Sequence, residues 1–175
     1  MKILIYTLFS VLSLFLLSSC GDGCTDPKTE FFWNPDSNIR TREDSTFVEN
    51  DSLVALTDFA IVQGSDNVFE VRFMGEFCED IADSGGGYRL VIMMPSDSID
   101  SFRYADAELR ETSAYFEPFG FVEDVAHFIR EGEVIGRRLD EESWQLSIDV
   151  VTTPQIEQFG LGPLNFVFDD EFSLQ

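Results

Sequence analysis

Along residues 69–77 the chain alternates with a period of two. Phe69, Val71, Phe73, Gly75 and Phe77 share one face, and Glu70, Arg72, Met74 and Glu76 share the other. Successive strand side chains point to opposite faces, so this pattern predicts a strand with one buried face. The same period returns where Trp144, Leu146, Ile148 and Val150 alternate with Gln145, Ser147, Asp149 and Val151. A sheet with one apolar face must cover that face with another layer, and this requirement narrows the fold more than composition does.

Turn chemistry places the neighbouring strands. Gly64-Ser65-Asp66-Asn67 reads as a turn, with Phe59 to Gln63 as the partner strand of residues 69–77. Tyr88 to Met94 is apolar on both faces and predicts a central strand, stopped by Pro95. Val134 to Leu139 precedes a turn at Asp140-Glu141-Glu142, and the last strand is Leu164 to Phe168. The middle, residues 96–130, carries no clear period. Ile99, Phe102 and Leu109 fit helical spacing weakly, and residues 115–121 read as a loop rich in aromatics. Short strands joined by turns, without alternating helices, predict an all-β chain. The expected architecture is an antiparallel β-sandwich, immunoglobulin-like, with a small β-barrel as the alternative.

The chain opens Met1-Lys2 and continues into an apolar run, Ile3 to Leu17, of secretory-signal length. Leu17-Ser18-Ser19-Cys20 follows. It resembles the lipobox of bacterial lipoprotein signal peptides: a branched aliphatic, two small residues, then cysteine. The resemblance covers the first 20 residues. It implies a diacylglyceryl group on the Cys20 thiol, cleavage before Cys20 and a lipid anchor in the cell envelope. The expected site is the outer membrane of a Gram-negative bacterium. An ordinary secretory peptide and a one-helix anchor are the competing readings. Asp22 and Asp26 only partly resemble the acidic surface-export signals of Bacteroidetes lipoproteins, which leaves the leaflet open.

This reading divides the chain into a signal peptide, 1–19, an acidic tether, 20–46, and one folded domain, 47–175. The tether is assigned from its Asp, Asn, Pro, Ser and Thr content, which Phe31-Phe32-Trp33 interrupts as a segment docked on the domain edge. The mature part carries 10 Lys+Arg against 33 Asp+Glu, a surface that repels nucleic acid and anionic headgroups. With Cys20 lipidated, Cys24 and Cys78 remain. An oxidising compartment favours a bridge between them, two free thiols being the alternative.

The inventory excludes several chemistries. His127 is the single histidine, so zinc motifs that need two are absent, and no G-x-S-x-G surrounds a serine. Lys28 is the only lysine of the mature part, which argues against lysine-based catalysis. No residue is assigned a catalytic role. Calcium needs clustered oxygen ligands, and Glu79, Asp80 and Asp83 form the first candidate loop. Asp97 with Asp100, and Asp169-Asp170-Glu171, are two others. None matches a calcium-loop motif, so no cofactor is expected beyond a structural calcium ion. Tyr115, Phe116, Phe119 and Phe121 are candidate binding residues for a protein or glycan partner. The expected function is a non-enzymatic binding or assembly module held on a membrane by lipid on Cys20. The alternatives are a glycan hydrolase using two carboxylates and an acidic inhibitor or immunity-type lipoprotein.

Overall fold

The computed structural model describes residues 24–48, 51–78, 85–96, 100–119, 126–155 and 162–175, with 43–48 and 51–57 as backbone alone. The first strands are β1 (Cys24–Thr25), β2 (Lys28–Val48), β3 (Asp51–Gln63) and β4 (Asp66–Met74). Then come β5 (Phe77–Cys78), β6 (Gly87–Met94) and β7 (Ser101–Ala105). One helical turn, α1 (Ala107–Glu111), leads into β8 (Ala114–Phe119) and β9 (His127–Arg138). The chain ends with β10 (Ser143–Thr153) and β11 (Asn165–Leu174). Among the described residues no helix is long and apolar enough to cross a membrane.

The chain is all-β, and its strands pack as a β-sandwich. One layer runs β2-β4-β6-β8, with β3 paired to the second half of β2, and the other contains β10 between β9 and β11, with β7 on the far edge of β9. Two short seams join the layers. Tyr115 and Phe116 pair with Phe128 and His127, and Phe32 and Trp33 pair with Ser173 and Leu174. The pairing therefore returns on itself, giving the sandwich the closed perimeter of a small barrel. Every ladder is antiparallel except the two-pair β11–β2 seam.

Period-two alternation builds the core. β4 turns Phe69 and Val71 inward, β6 turns Leu90 and Ile92 inward, and β10 supplies Trp144, Leu146, Ile148 and Val150 from the opposite layer. Burying such side chains contributes roughly 1.5–3 kcal/mol each. β6 lies between β4 and β8, as its two apolar faces require. Its outer residue Val91 is buried with Phe59 and Val68 beneath the β2–β3 hairpin.

Three expectations are corrected. Residues 28–42 are not a tether, since β2 lies within the sheet and Trp33 is in the core with Phe31 packed against it. Polar composition suggested disorder, but inward aromatics and a full hydrogen-bonded ladder to β4 override it. The proposed boundary at 46/47 falls inside β2. Next, Phe59 to Gln63 does not pair with β4. It pairs with Ser37–Thr41 of β2 and stacks on the outer face of β4 instead. Finally, residues 114–119 are a strand, with Ala114, Phe116 and Pro118 buried in alternation. Rings on both faces hide the period there, and Pro118 lies beyond Phe116, the last residue that β8 pairs with β9.

Two glycines are required by close approach. At Gly132, φ is +109° and a Cβ would lie 2.1 Å from the Asp149 carbonyl oxygen. Gly132 exchanges hydrogen bonds with Asp106, anchoring the start of α1, whose Leu109 plugs the core. At Gly136 the Phe102 ring occupies the space a side chain would need.

Cys24 and Cys78 are bridged, opposite one another in the small β1–β5 sheet. The bridge closes a loop of sequence separation 54, which by chain entropy contributes about 4 kcal/mol at most. Reduction is expected to lower unfolding stability by about 2–4 kcal/mol, read as a shift of the urea midpoint with and without reductant. A Cys24→Ser/Cys78→Ser double variant should then be insensitive to reductant.

Candidate functional site

β4 fixes the geometry of both candidate regions. It runs from Asn67, opposite Met94, to Met74, opposite Gly87 and Lys28. One end of the sandwich therefore carries the β1–β5 disulfide. The other carries the turns at Pro35-Asp36, Ser65-Asp66 and Arg138 to Trp144. Seven strand steps separate these ends, about 23 Å at roughly 3.3 Å per residue.

At the end away from the disulfide lies a pocket of about 260 Å³. Both tryptophans of the chain line it, because each ends an inward face at a turn. Trp33 precedes the break in β2 at Pro35-Asp36, where Asp36 has φ of 48° and the register with β4 shifts. Trp144 opens β10 just after the Asp140 turn. The indole rings meet edge to face, with centroids 6.2 Å apart. Trp33 Nε1 donates to Asn67 Oδ1 at 2.9 Å. Trp144 is only 2% exposed, and its Nε1 has no hydrogen-bond partner among the described residues. Asp66 accepts the Ser96 N–H at 3.3 Å. The Arg138 guanidinium stands over the Trp33 ring at 5.5 Å, and its Nε donates to the Asp140 carbonyl at 2.8 Å. The Asp140 carboxyl is held below its ordinary range by the Glu142 N–H and then the Ser143 hydroxyl.

A second polar cluster lies on the outer face of β4, β6 and β8. Glu70 is 1% exposed. Arg72 donates to it from Nε at 3.2 Å and from Nη2 at 2.9 and 3.0 Å. Arg89 Nε stands 3.1 Å from Glu70 Oε1, an ion pair off hydrogen-bond alignment. Arg89 also reaches Glu117 at 3.6 Å and lies over the Phe59 ring at 4.6 Å. Burial pushes the Glu117 carboxyl above its ordinary value. Arg89 opposes that shift, and Asp58 and Glu70 add to it. Glu70 and Glu117 share one guanidinium, so Arg89 fills the space between them. The arrangement clamps the hairpin to the sheet and offers no gap where a sugar would sit between two acids.

The residues singled out from sequence fall elsewhere. Cys20, Glu79, Asp80, Asp83, Asp97 and Phe121 lie outside the described residues. Asp169-Asp170-Glu171 sits within β11, where Asp170 points to the opposite face from Asp169 and Glu171, so the three do not converge on one ion. Asp100 accepts the Arg138 N–H through its carbonyl. Phe116 is buried in the inner face, Tyr115 stacks on Phe59, and Phe119 is half-buried over Gly87. These three rings serve packing. His127 is buried against Phe116 with Nδ1 3.3 Å from Thr152 Oγ1. Cys24, Glu76 and Cys78 cluster within metal-ligand reach, but metals take thiolates and both sulfurs are in the disulfide.

Sequence reading missed Trp33, Asp36, Asp66, Asn67, Arg138 and Trp144 as a group. The available signal was modest: each tryptophan stands within three residues of a turn rich in Asp, Asn or Pro. Compared with known protein families, curated proteins and solved structures, the chain matches none.

The raised Glu117 carboxyl has a signed consequence. A carboxyl whose folded value lies above its unfolded one favours the folded state when protonated, and that contribution is lost as pH rises through the folded value. Glu117→Gln should therefore gain stability relative to wild type as pH rises from about 4.5 upward. Urea midpoints of both proteins at pH 5 and pH 8 check this. A difference between them that does not change with pH would contradict it.

Proposed function

We propose that this chain is a lipoprotein precursor, anchored in the cell envelope by lipid on Cys20, whose domain binds an envelope partner and does not transform it. The observation that carries the reading is the polarity of the sandwich. Cys24 follows Cys20 by four positions and is pinned to Cys78 at one end, while the Trp33–Trp144 pocket opens at the other. A lipid on Cys20 holds the disulfide end near the bilayer and presents the pocket away from it. Two or more acyl chains make such an anchor durable where one is marginal. The outer membrane of a Gram-negative bacterium is the proposed location.

The glycan-hydrolase reading keeps one supporting observation, since Asp36 and Asp66 both line the pocket. The binding reading is preferred because the pocket also holds Arg138 and two buried indoles, and Asp66 is already engaged by the Ser96 N–H.

Metabolic labelling with a clickable palmitate tests the anchor. Wild type should take the label and sediment with membranes, and Cys20→Ala should take none. Unlabelled wild type in the soluble fraction would refute it. Turnover of an envelope glycan by the purified chain, abolished by Asp66→Asn, would replace the binding reading with the hydrolase.

A further inference from the structure

We infer that the disulfide end of the sandwich sits directly on the bilayer, with Phe77 and Met74 entering the headgroup region of zwitterionic lipid. This rests on the lipoprotein reading, and it gives the anchored domain a second attachment and a fixed orientation.

Alternation along residues 69–77 predicts Phe77 on the buried face, yet its side chain is 47% exposed. The period breaks because β4 stops at Met74, and the Gly75 N–H then donates to the Gly86 carbonyl at 2.8 Å. β5 restarts with Cys78 turned inward, 7% exposed and tied to Cys24, so Phe77 faces out. The Thr25 hydroxyl fixes its backbone, accepting the Phe77 N–H at 3.3 Å and donating to the Phe77 carbonyl at 3.4 Å. Met74, 48% exposed, ends β4 at the same end of the sandwich. There the ring of Tyr88 meets those of Phe73 and Phe166 at 5.1 and 5.0 Å, and all three are only half-buried. One exposed apolar side chain is ordinary, but two beside an aromatic floor make a patch.

The reach of the chain names the occupant. Cys20 precedes Cys24 by four residues, which span at most about 14 Å when fully extended. A lipid on Cys20 therefore holds β1, and Phe77 paired with it, close to the headgroups. A single helix with its side chains already fills such a gap, at about 10–12 Å across. A folded partner does not fit between this end and the membrane, and the bilayer surface is what the patch meets.

Chemistry agrees. Lys28, the only lysine after Lys2, lies opposite Met74 with its side chain 67% exposed. Aromatic rings and lysine stems suit a membrane–water boundary. The Lys28 ammonium stands 2.5 Å from Glu30, so the pair adds no net positive charge. Asp26 and Glu76 are exposed nearby. In a chain of formal net charge −22, charge does not draw this end to anionic lipid, and apolar insertion into zwitterionic lipid holds it.

Fluorescence quenching by brominated phosphatidylcholine tests this on the lipidated protein reconstituted in vesicles. Wild type carries two tryptophans, and both lie away from this end. Trp33 is five strand steps from Lys28, about 17 Å at roughly 3.3 Å per residue. Phe77→Trp and, separately, Met74→Trp each add an indole at the disulfide end. The emission that each substitution adds should fall by half or more in brominated vesicles, while wild-type emission changes little. If Phe77→Trp misfolds, Met74→Trp reports alone. Palmitate-labelled protein that sediments with the vesicles but shows no quenching of an added indole overturns the contact and leaves the anchor standing. Quenching of wild type as strong as that of the variants overturns the orientation. Protein that takes no palmitate overturns the anchor and this contact together.

Discussion

The ring of Phe69 meets three others, from Phe102, Trp144 and Phe172. Those residues come from β7, β10 and β11, so this one β4 side chain ties its own layer to three strands of the opposite one. Trp33 extends the stack by meeting Trp144. Edge-to-face ring pairs contribute about 0.5–1.5 kcal/mol beyond the area they bury. The seams that close the perimeter are only two residue pairs each. Backbone pairing at the edges is too short to set the layer spacing, and the aromatic stack sets it.

The pocket is a by-product of that stack. An inward aromatic face has to stop somewhere, and in β2 and β10 it stops at a tryptophan beside a turn. The indoles are then buried by the core on one side and bordered by turn polar groups on the other. Asp36, Asp66 and Asn67 stand there because Asp and Asn suit turns and left-handed backbone. The outer face solves a different problem. Glu70 occupies a position that alternation turns away from the core, yet the β2–β3 hairpin covers it. Arg72 and Arg89 compensate the buried carboxylate, and Phe59 and Phe32 lie under their guanidinium groups.

Legibility followed the contrast between the two faces of each strand. β4 and β10 could be read directly because large apolar residues alternate with charged or small polar ones. β6 could be placed centrally because it has no polar face. β8 could not, since Tyr115, Phe116 and Phe119 put rings on both sides. β2 could not, because the aromatics that place it are embedded in a polar stretch whose composition resembles linker. The partner of β3 was equally hidden. The Gly64 turn brings β3 next to β4 in the chain, but β3 pairs with β2 instead, and its apolar side chains cover Val68 and Val91 on the outer face of the sheet.

The amino-acid sequence by itself determined the all-β class, the inward faces of β4 and β10, the central place of β6, and the absence of two-histidine metal motifs. Each of these depends on residue type and local spacing alone. Only the tertiary structure decided that residues 28–42 belong to the sheet, that the aromatic residues of β8 pack the fold, and that six residues from four strands meet in one pocket. Those facts depend on which strands become neighbours. Strand order is set by long-range packing of rings such as Phe69 and Trp144, and no local period encodes it.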